Sequence, residues 1–164
     1  MKKIRKPIGW ILLIALVVIQ FFRPAQNLSG KNNNNVSKNF AVPDSVKQIL
    51  EAACNDCHSN KTVYPWYASV QPVAWWVANH VNDGKRHLNF DEFTSYRLRK
   101  QYHKMEEVVE QIEKDEMPEK SYRLMHTGAK LTAAQKTTLI YWAETIKDSM
   151  KTRYPIDSLV AQKK

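Results

Sequence analysis

The sequence predicts an all-α fold, a helical domain behind an N-terminal apolar helix. Three observations carry that prediction. Apolar residues recur at helical spacing, and no stretch alternates convincingly as a half-buried strand would. Two segments open on a Ser/Thr-x-x-Gln capping box, Ser45–Gln48 and Thr132–Gln135. Prolines and glycines fall where helices begin and end.

The first element starts Met1-Lys2-Lys3-Ile4-Arg5-Lys6 and runs through uncharged residues from Ile8 to Phe22 before Arg23-Pro24. Positive charge ahead of an apolar core is the positive-inside arrangement, with the rest of the chain translocated. As a helix the run measures about 22 Å, short against a hydrocarbon core of ~30 Å, and Lys6 and Arg23 can snorkel to close the gap. Ala25-Gln26-Asn27-Leu28-Ser29 offers no A-x-A-like cleavage site, and no Cys near the run's end supports a lipoprotein. Residues 1–23 therefore read as an uncleaved signal anchor, a single transmembrane pass in the cytoplasmic (inner) membrane with the domain in the periplasm. Residues 24–39, rich in Asn, Ser and Lys, read as a polar linker. The folded domain is expected over residues 40–154, with 155–164 as a tail.

Within the domain, the Ser45 box opens a helix carrying Val46, Ile49, Leu50 and Ala53 up to Cys54. Tyr64-Pro65-Trp66-Tyr67 is an aromatic turn. A helix follows from about Pro72 to Asn82, with Gly84 just past its end. Asn89 or Asp91 caps a long charged helix to about Asp115, striped by Tyr102, Met105, Val109 and Ile112. The Thr132 box starts the last helix, which ends near Met150.

The formal net charge of +9 says little about partners. Five of the 25 basic residues and no acidic residue lie in 1–23, so beyond it 20 basic residues face 16 acidic ones. That balance gives no reason to expect nucleic-acid binding. Along the long helix, Arg and Lys gather toward the beginning and Glu toward the end. This is either an ordinary solvated face or a dipolar docking surface for a redox partner.

Both cysteines fall in one pentapeptide, Cys54-Asn55-Asp56-Cys57-His58. Cys-x-x-Cys-His is the attachment signature of c-type haem: two thiols add to the vinyl groups and the imidazole becomes the proximal iron ligand. A redox Cys-x-x-Cys pair would sit near a βαβ pattern, which is missing here. A closed zinc site would need two more ligands among His58, His80, His87, His103 and His126, and no pair of these has the usual short spacing. The pentapeptide thus implies one covalent haem c per chain. A capped helix leading into it and a capped last helix correspond to a cytochrome c-like arrangement. Candidates for the second axial ligand are Met117, Met125, Met105, His80, His87, His103 and His126. Met117, in the non-helical break Glu116-Met117-Pro118, is placed best to swing a thioether onto iron, whereas Met105 reads as core. Tyr64, Trp66 and Trp75 are candidate cofactor-wall residues, with ordinary core packing as the alternative. No acid/base or nucleophile constellation stands apart from the haem motif, so the chain is not expected to be an enzyme.

Several stretches together carry a resemblance: Cys54–Asn60, Tyr64–Tyr67, Pro72–Trp76 with His80-Val81, Gly84–Phe90, Met117-Pro118, Tyr122–His126 and Ala129–Thr132. In these the chain resembles the bacterial membrane-anchored "haem-binding domain" proteins, which are monohaem and c-type cytochrome-like. The resemblance spans about residues 45–148. It implies haem carried on Cys54, Cys57 and His58, and makes Met117 the natural distal ligand. The resulting expectation is a membrane-tethered monohaem c-type cytochrome carrying single electrons, with respiratory complexes or a periplasmic peroxidase as partners. The alternative is a haem-based ligand sensor or peroxidase-like protein with an open distal position.

Overall fold

The computed structural model describes residues 5–160. The expected anchor's first residues, Met1–Ile4, and the end of the expected tail, residues 161–164, lie outside them. The fold is all-helical, with no strand among the described residues.

Helix α1 (Arg5–Ile19) carries the apolar run, with Ile8 through Val18 exposed. Its 15 residues fall short of the ~20 that a spanning helix needs. Among the described residues no helix is long and apolar enough to cross a membrane, so the expected transmembrane pass is not met by α1 alone.

Residues 24–39 do not behave as a free linker. Asn27 N–H bonds the Tyr64 hydroxyl at 2.9 Å, and its amide donates to the Ser59 carbonyl at 2.9 Å and to Thr62 Oγ1 at 3.0 Å. Gly30, at φ +59°, donates to the Asn60 carbonyl at 2.9 Å; that left-handed backbone is what glycine permits without strain. Asn35 caps a 3-10 turn, Val36–Lys38, in which Val36 is buried. The polarity that reads as a tether instead supplies side-chain hydrogen bonds to the domain.

Helix α2 (Asp44–Ala53) buries Val46, Ile49, Leu50 and Ala53, as its spacing predicts. The Ser45 capping box does not form: the helix starts at Asp44 after Pro43, and no side chain caps it. A short helix α3 (Asn55–His58) follows directly. Helix α4 (Val73–His87) runs through Gly84, which is therefore not a terminator. A Cβ on Gly84 would meet the Cys57 carbonyl oxygen at 2.6 Å and the Cys57 Cβ at 2.9 Å, so this glycine lets α4 cross α3 at backbone contact.

The expected long helix from Asn89 is split. Asn89 caps a 3-10 segment, Phe90–Ser95, and α5 (Leu98–Glu113) begins after a break. The buried Gln101 amide donates to the Tyr96 carbonyl at 2.7 Å, satisfying an acceptor that the break leaves open. Helix α6 (Lys120–Met125) is short. Helix α7 (Ala133–Arg153) starts on the predicted Thr132–Gln135 capping box, with both bonds present. Helix α8 (Ile156–Leu159) buries Leu159 and packs on α5, so the domain continues past residue 154 into the expected tail.

The core lies where α2 and α5 pack on α7. Met105, Leu139, Ala143 and Met150 are fully buried there, and Trp142 donates its indole N–H to the Ala41 carbonyl at 3.0 Å. Burying side chains of this size contributes about 1.5–3 kcal/mol each before entropy is counted.

Candidate functional site

Helix α2 delivers the Cys-x-x-Cys-His segment to the wall of a cavity of about 630 Å³, within the usual range of roughly 300–1,000 Å³ for ligand sites. Cys54 at the α2–α3 junction and Cys57 and His58 of α3 line it, and Trp76, Val77, His80, Val81, Gly84 and His87 line it from α4. Leu50, Leu88, Phe90, Ile112 and Leu139 give it an apolar lining. Met117, Pro118, Tyr122, Met125 and His126 contribute the wall supplied by the α5–α6 connection and α6.

The His58 ring is positioned by its backbone partner. Its Nδ1 lies 2.9 Å from the Leu88 carbonyl oxygen, which can only accept, so Nδ1 carries the proton and Nε2 is left as a lone-pair donor. Burial lowers the His58 pKa below its ordinary 6.5, which favours that neutral form. Phe90 packs against the ring edge at a centroid distance of 6.4 Å.

The thiols are not bridged to each other. Burial pushes the Cys54 thiol up to about 12 and the Cys57 thiol up to about 11, with Asp56 and Glu119 adding to the latter. A redox Cys-x-x-Cys pair works through a lowered thiolate pKa, so this environment is wrong for it. Nor is a closed zinc site assembled: among the described residues no group of three or more His, Cys, Asp and Glu is placed to hold a metal ion.

Asp56, between the two cysteines, ties α3 to its surroundings. Its carboxylate accepts from Val63 N–H at 2.9 Å and from the Tyr122 hydroxyl at 2.7 Å. Burial and that bond hold the Tyr122 phenol well above its ordinary value, so it stays a donor. Tyr122 also stacks on His126 at 4.1 Å. The His126 ring nitrogens face the Tyr122 carbonyl at 3.2 Å and the Tyr67 hydroxyl at 3.5 Å.

Among the candidate second ligands, Met117, Met125, His80, His87 and His126 line the cavity. Met105 is buried in the core, and His103 pairs with Glu106 and Glu107 on an exposed face. His80 is held by the Trp76 carbonyl at 2.9 Å and by Glu119 at 3.3 Å. Met117 is half-buried and packs against the core, positioned by its backbone N–H to the Gln111 carbonyl at 3.3 Å.

The expected aromatic wall is corrected. Tyr64, Trp66 and Trp75 do not line this cavity. Tyr64 is turned to Asn27, Trp66 is 81% exposed, and Trp75 is also exposed. Tyr67, Trp76, Phe90 and Tyr122 line it instead. Helical phase decides between the neighbouring tryptophans: consecutive residues point about 100° apart, so only one can face the cavity. Sequence reasoning also missed Gly84, Asp56, Tyr122 and the Leu88 carbonyl. Gly84 follows Asp83, and an Asp-Gly pair reads as a turn, so the sequence pointed away from its packing role.

A family model described as a haem-binding domain matches residues 14–145, most of the chain. No curated protein and no solved structure matches it.

Proposed function

The chain belongs to the haem-binding domain family, and from that premise we propose that it is a monohaem c-type cytochrome passing single electrons outside the cytoplasmic membrane. One observation carries the reading: the His58–Leu88 bond leaves Nε2 as the ring's donor atom in a cavity that Cys54, Cys57 and Met117 also line. Haem, when bound, supplies the one-electron couple. Each thiol would form a thioether by adding its S–H across a vinyl group, the sulfur taking one carbon and the hydrogen the other. His58 would be one iron ligand and the Met117 thioether, on the cavity wall in the non-helical break between α5 and α6, the other, with Met125 and His87 as the competing donors on that wall; the His80 and His126 nitrogens already have partners. An apolar surround from Leu50, Leu88, Phe90, Ile112 and Leu139 together with methionine ligation would raise the reduction potential. With neither ligand obliged to leave, the chain is a carrier rather than an enzyme.

The exposed apolar surface of α1 supports attachment to the membrane, with the domain in the periplasm and respiratory complexes or a periplasmic peroxidase as redox partners. Snorkelling of Arg23 and local thinning would accommodate its short length.

The deciding experiment is the absorption spectrum of native ferric protein produced with haem-maturation machinery, with acid-acetone extraction of a separate sample to test covalency. Haem that stays with the chain and a low-spin spectrum with the weak sulfur-to-iron charge-transfer band support the proposal. Extractable haem refutes the covalent part, and a high-spin spectrum refutes Met117. A ligand sensor or peroxidase-like protein is the second reading, favoured by the Tyr67–His126 pair on the cavity wall. Fast, tight carbon monoxide binding to the reduced protein would select it.

A further inference from the structure

We propose that Lys104 anchors a haem propionate, its ammonium receiving the carboxylate across the cavity from Cys54 and Cys57. The proposal deepens the haem reading and rests on it.

Charge singles this residue out. Among the described residues that line the cavity, Lys104 is the only Lys or Arg, whereas Asp56, Asp83, Glu107, Glu110 and Glu119 all supply carboxylates. Haem adds two of its own. Set against any of those acidic side chains, a propionate meets like charge, and a cavity with an apolar lining screens that repulsion less than water does. Lys104 offers the opposite sign from a side chain only 12% exposed. An ammonium held that far from water is costly unless it is paired.

Position agrees with charge. The vinyl groups and the propionates of haem stand on opposite edges of the ring. Thioether bonds to Cys54 and Cys57 would hold the vinyl edge at α3, so the propionates extend toward the far wall. Helix α3 packs on α2 and α4, whereas α5 packs on α7 and α8, and both α3 and α5 line the cavity. The cavity thus lies between the thiols and α5. His87 belongs to α4 and so stands on the thioether side.

Within α5, Lys104, Glu107, Val108 and Gln111 recur at the spacing of one helix face, and all four line the cavity. Lys104 stands two helical turns, about 10 Å, before Gln111, whose carbonyl accepts from the Met117 N–H. The proposed iron ligand and the propionate partner therefore mark the two ends of one face.

Glu107 is the present partner of Lys104, and it has a second one. One of its carboxylate oxygens takes the Lys104 ammonium, while the other faces His103 Nε2 at 3.0 Å. A propionate that takes over Lys104 leaves Glu107 beside His103, so the exchange orphans no carboxylate.

The test is the resonance Raman spectrum of the full chain, produced with haem-maturation machinery and held in detergent. It reads the propionate bending band, which moves to lower frequency when a hydrogen-bonding partner is lost. Lys104→Met keeps the bulk and removes the charge, so it should lower the band; Lys104→Arg should hold it near the wild-type position. A loaded Lys104→Met chain with the wild-type band overturns the pairing and leaves the haem reading standing. An equal downshift in Lys104→Arg marks a merely structural role and also overturns it. A wild-type chain that emerges without haem overturns the haem reading itself. Should Lys104→Met fail to load, Glu107→Gln decides: it frees Lys104 from its ion pair and should raise the band, and an unmoved band overturns the pairing.

Discussion

At the scale of single residues, Gly84 shows how little room the site leaves. Replacing it with Ala would gain roughly 1 kcal/mol of helix propensity. The new Cβ would fall 2.6 Å from the Cys57 carbonyl oxygen, a backbone atom that cannot rotate aside. Overpacking costs about 1–3 kcal/mol, and a backbone neighbour at 2.6 Å puts this case at the upper end, so after the propensity gain Gly84→Ala should lower stability by about 2 kcal/mol in thermal melts and reduce haem yield. An unchanged melt would mean that α3 and α4 separate freely. Met117 poses the complementary case, since Met117→Leu keeps volume and removes the sulfur. On the proposed ligation it should abolish the charge-transfer band, lower the potential and speed carbon monoxide binding. Persistence of the band would hand the ligand role to Met125.

At the scale of elements, two junctions set the cavity's shape. Tyr122 ties α6 to α3 through the Asp56 carboxylate at 2.7 Å. A hydrogen bond to a charged group contributes about 1.5–3 kcal/mol when buried; because the pair is partly exposed, Tyr122→Phe should cost about 1 kcal/mol in urea unfolding. The second junction is Asp115, just past α5 at φ 56°. It accepts from Lys136 at 2.7 Å and from Arg123 at 3.1 Å, joining the end of α5 to α7 and α6 two residues before Met117. The Lys136 bond, then the Arg123 bond, lowers its pKa from 3.8 to about 2. The unfolded chain therefore takes up this proton first, and the contribution is present above pH 3.8 and lost as the pH falls through about 2. Asn tolerates the same left-handed backbone, so Asp115→Asn should flatten the acid limb of the stability curve and blunt its salt dependence. The effect will be small for a solvent-exposed group. These junctions were not legible in the sequence, whereas α2, α4 and α7 were. Apolar spacing and the Thr132 box report local preferences. Which partner a Tyr or an Asp finds is a tertiary fact, and Gly84 was misread because a packing glycine and a terminating glycine are the same letter.

At the scale of the whole molecule, the polar stretch 24–39 changes what counts as the domain. Composition alone makes such a segment a tether, because it buries little apolar area. The structure offsets its ordering with hydrogen bonds to one buried network. Asn60 N–H donates to Asp91 at 2.8 Å and its amide to the Lys31 carbonyl at 2.7 Å. Asn35 donates to Asp91 at 2.7 Å, and Asn89 donates to Asn60 at 2.8 Å. Asn60 lies two residues after His58, and Asn89 directly follows Leu88. The network therefore clamps both chains that make the His58–Leu88 bond, and the strap holds the network closed. A chain starting at Phe40 should consequently differ from one starting at Pro24, although both lack α1. Net hydrogen bonds of about 0.5–1.5 kcal/mol each and the burial of Val36, worth about 1.5–3 kcal/mol, are offset by the entropy of ordering the strap. The shorter chain should lose about 2–4 kcal/mol in urea unfolding. It should also incorporate less haem, because the His58 ring is no longer held in one tautomer and orientation. Asp91→Ala in the Pro24 chain should reproduce much of that loss without removing a residue of the strap. Equal stability of the two truncated chains would return residues 24–39 to the role of a tether and leave the His58–Leu88 bond to be supported by α3 and α4 alone.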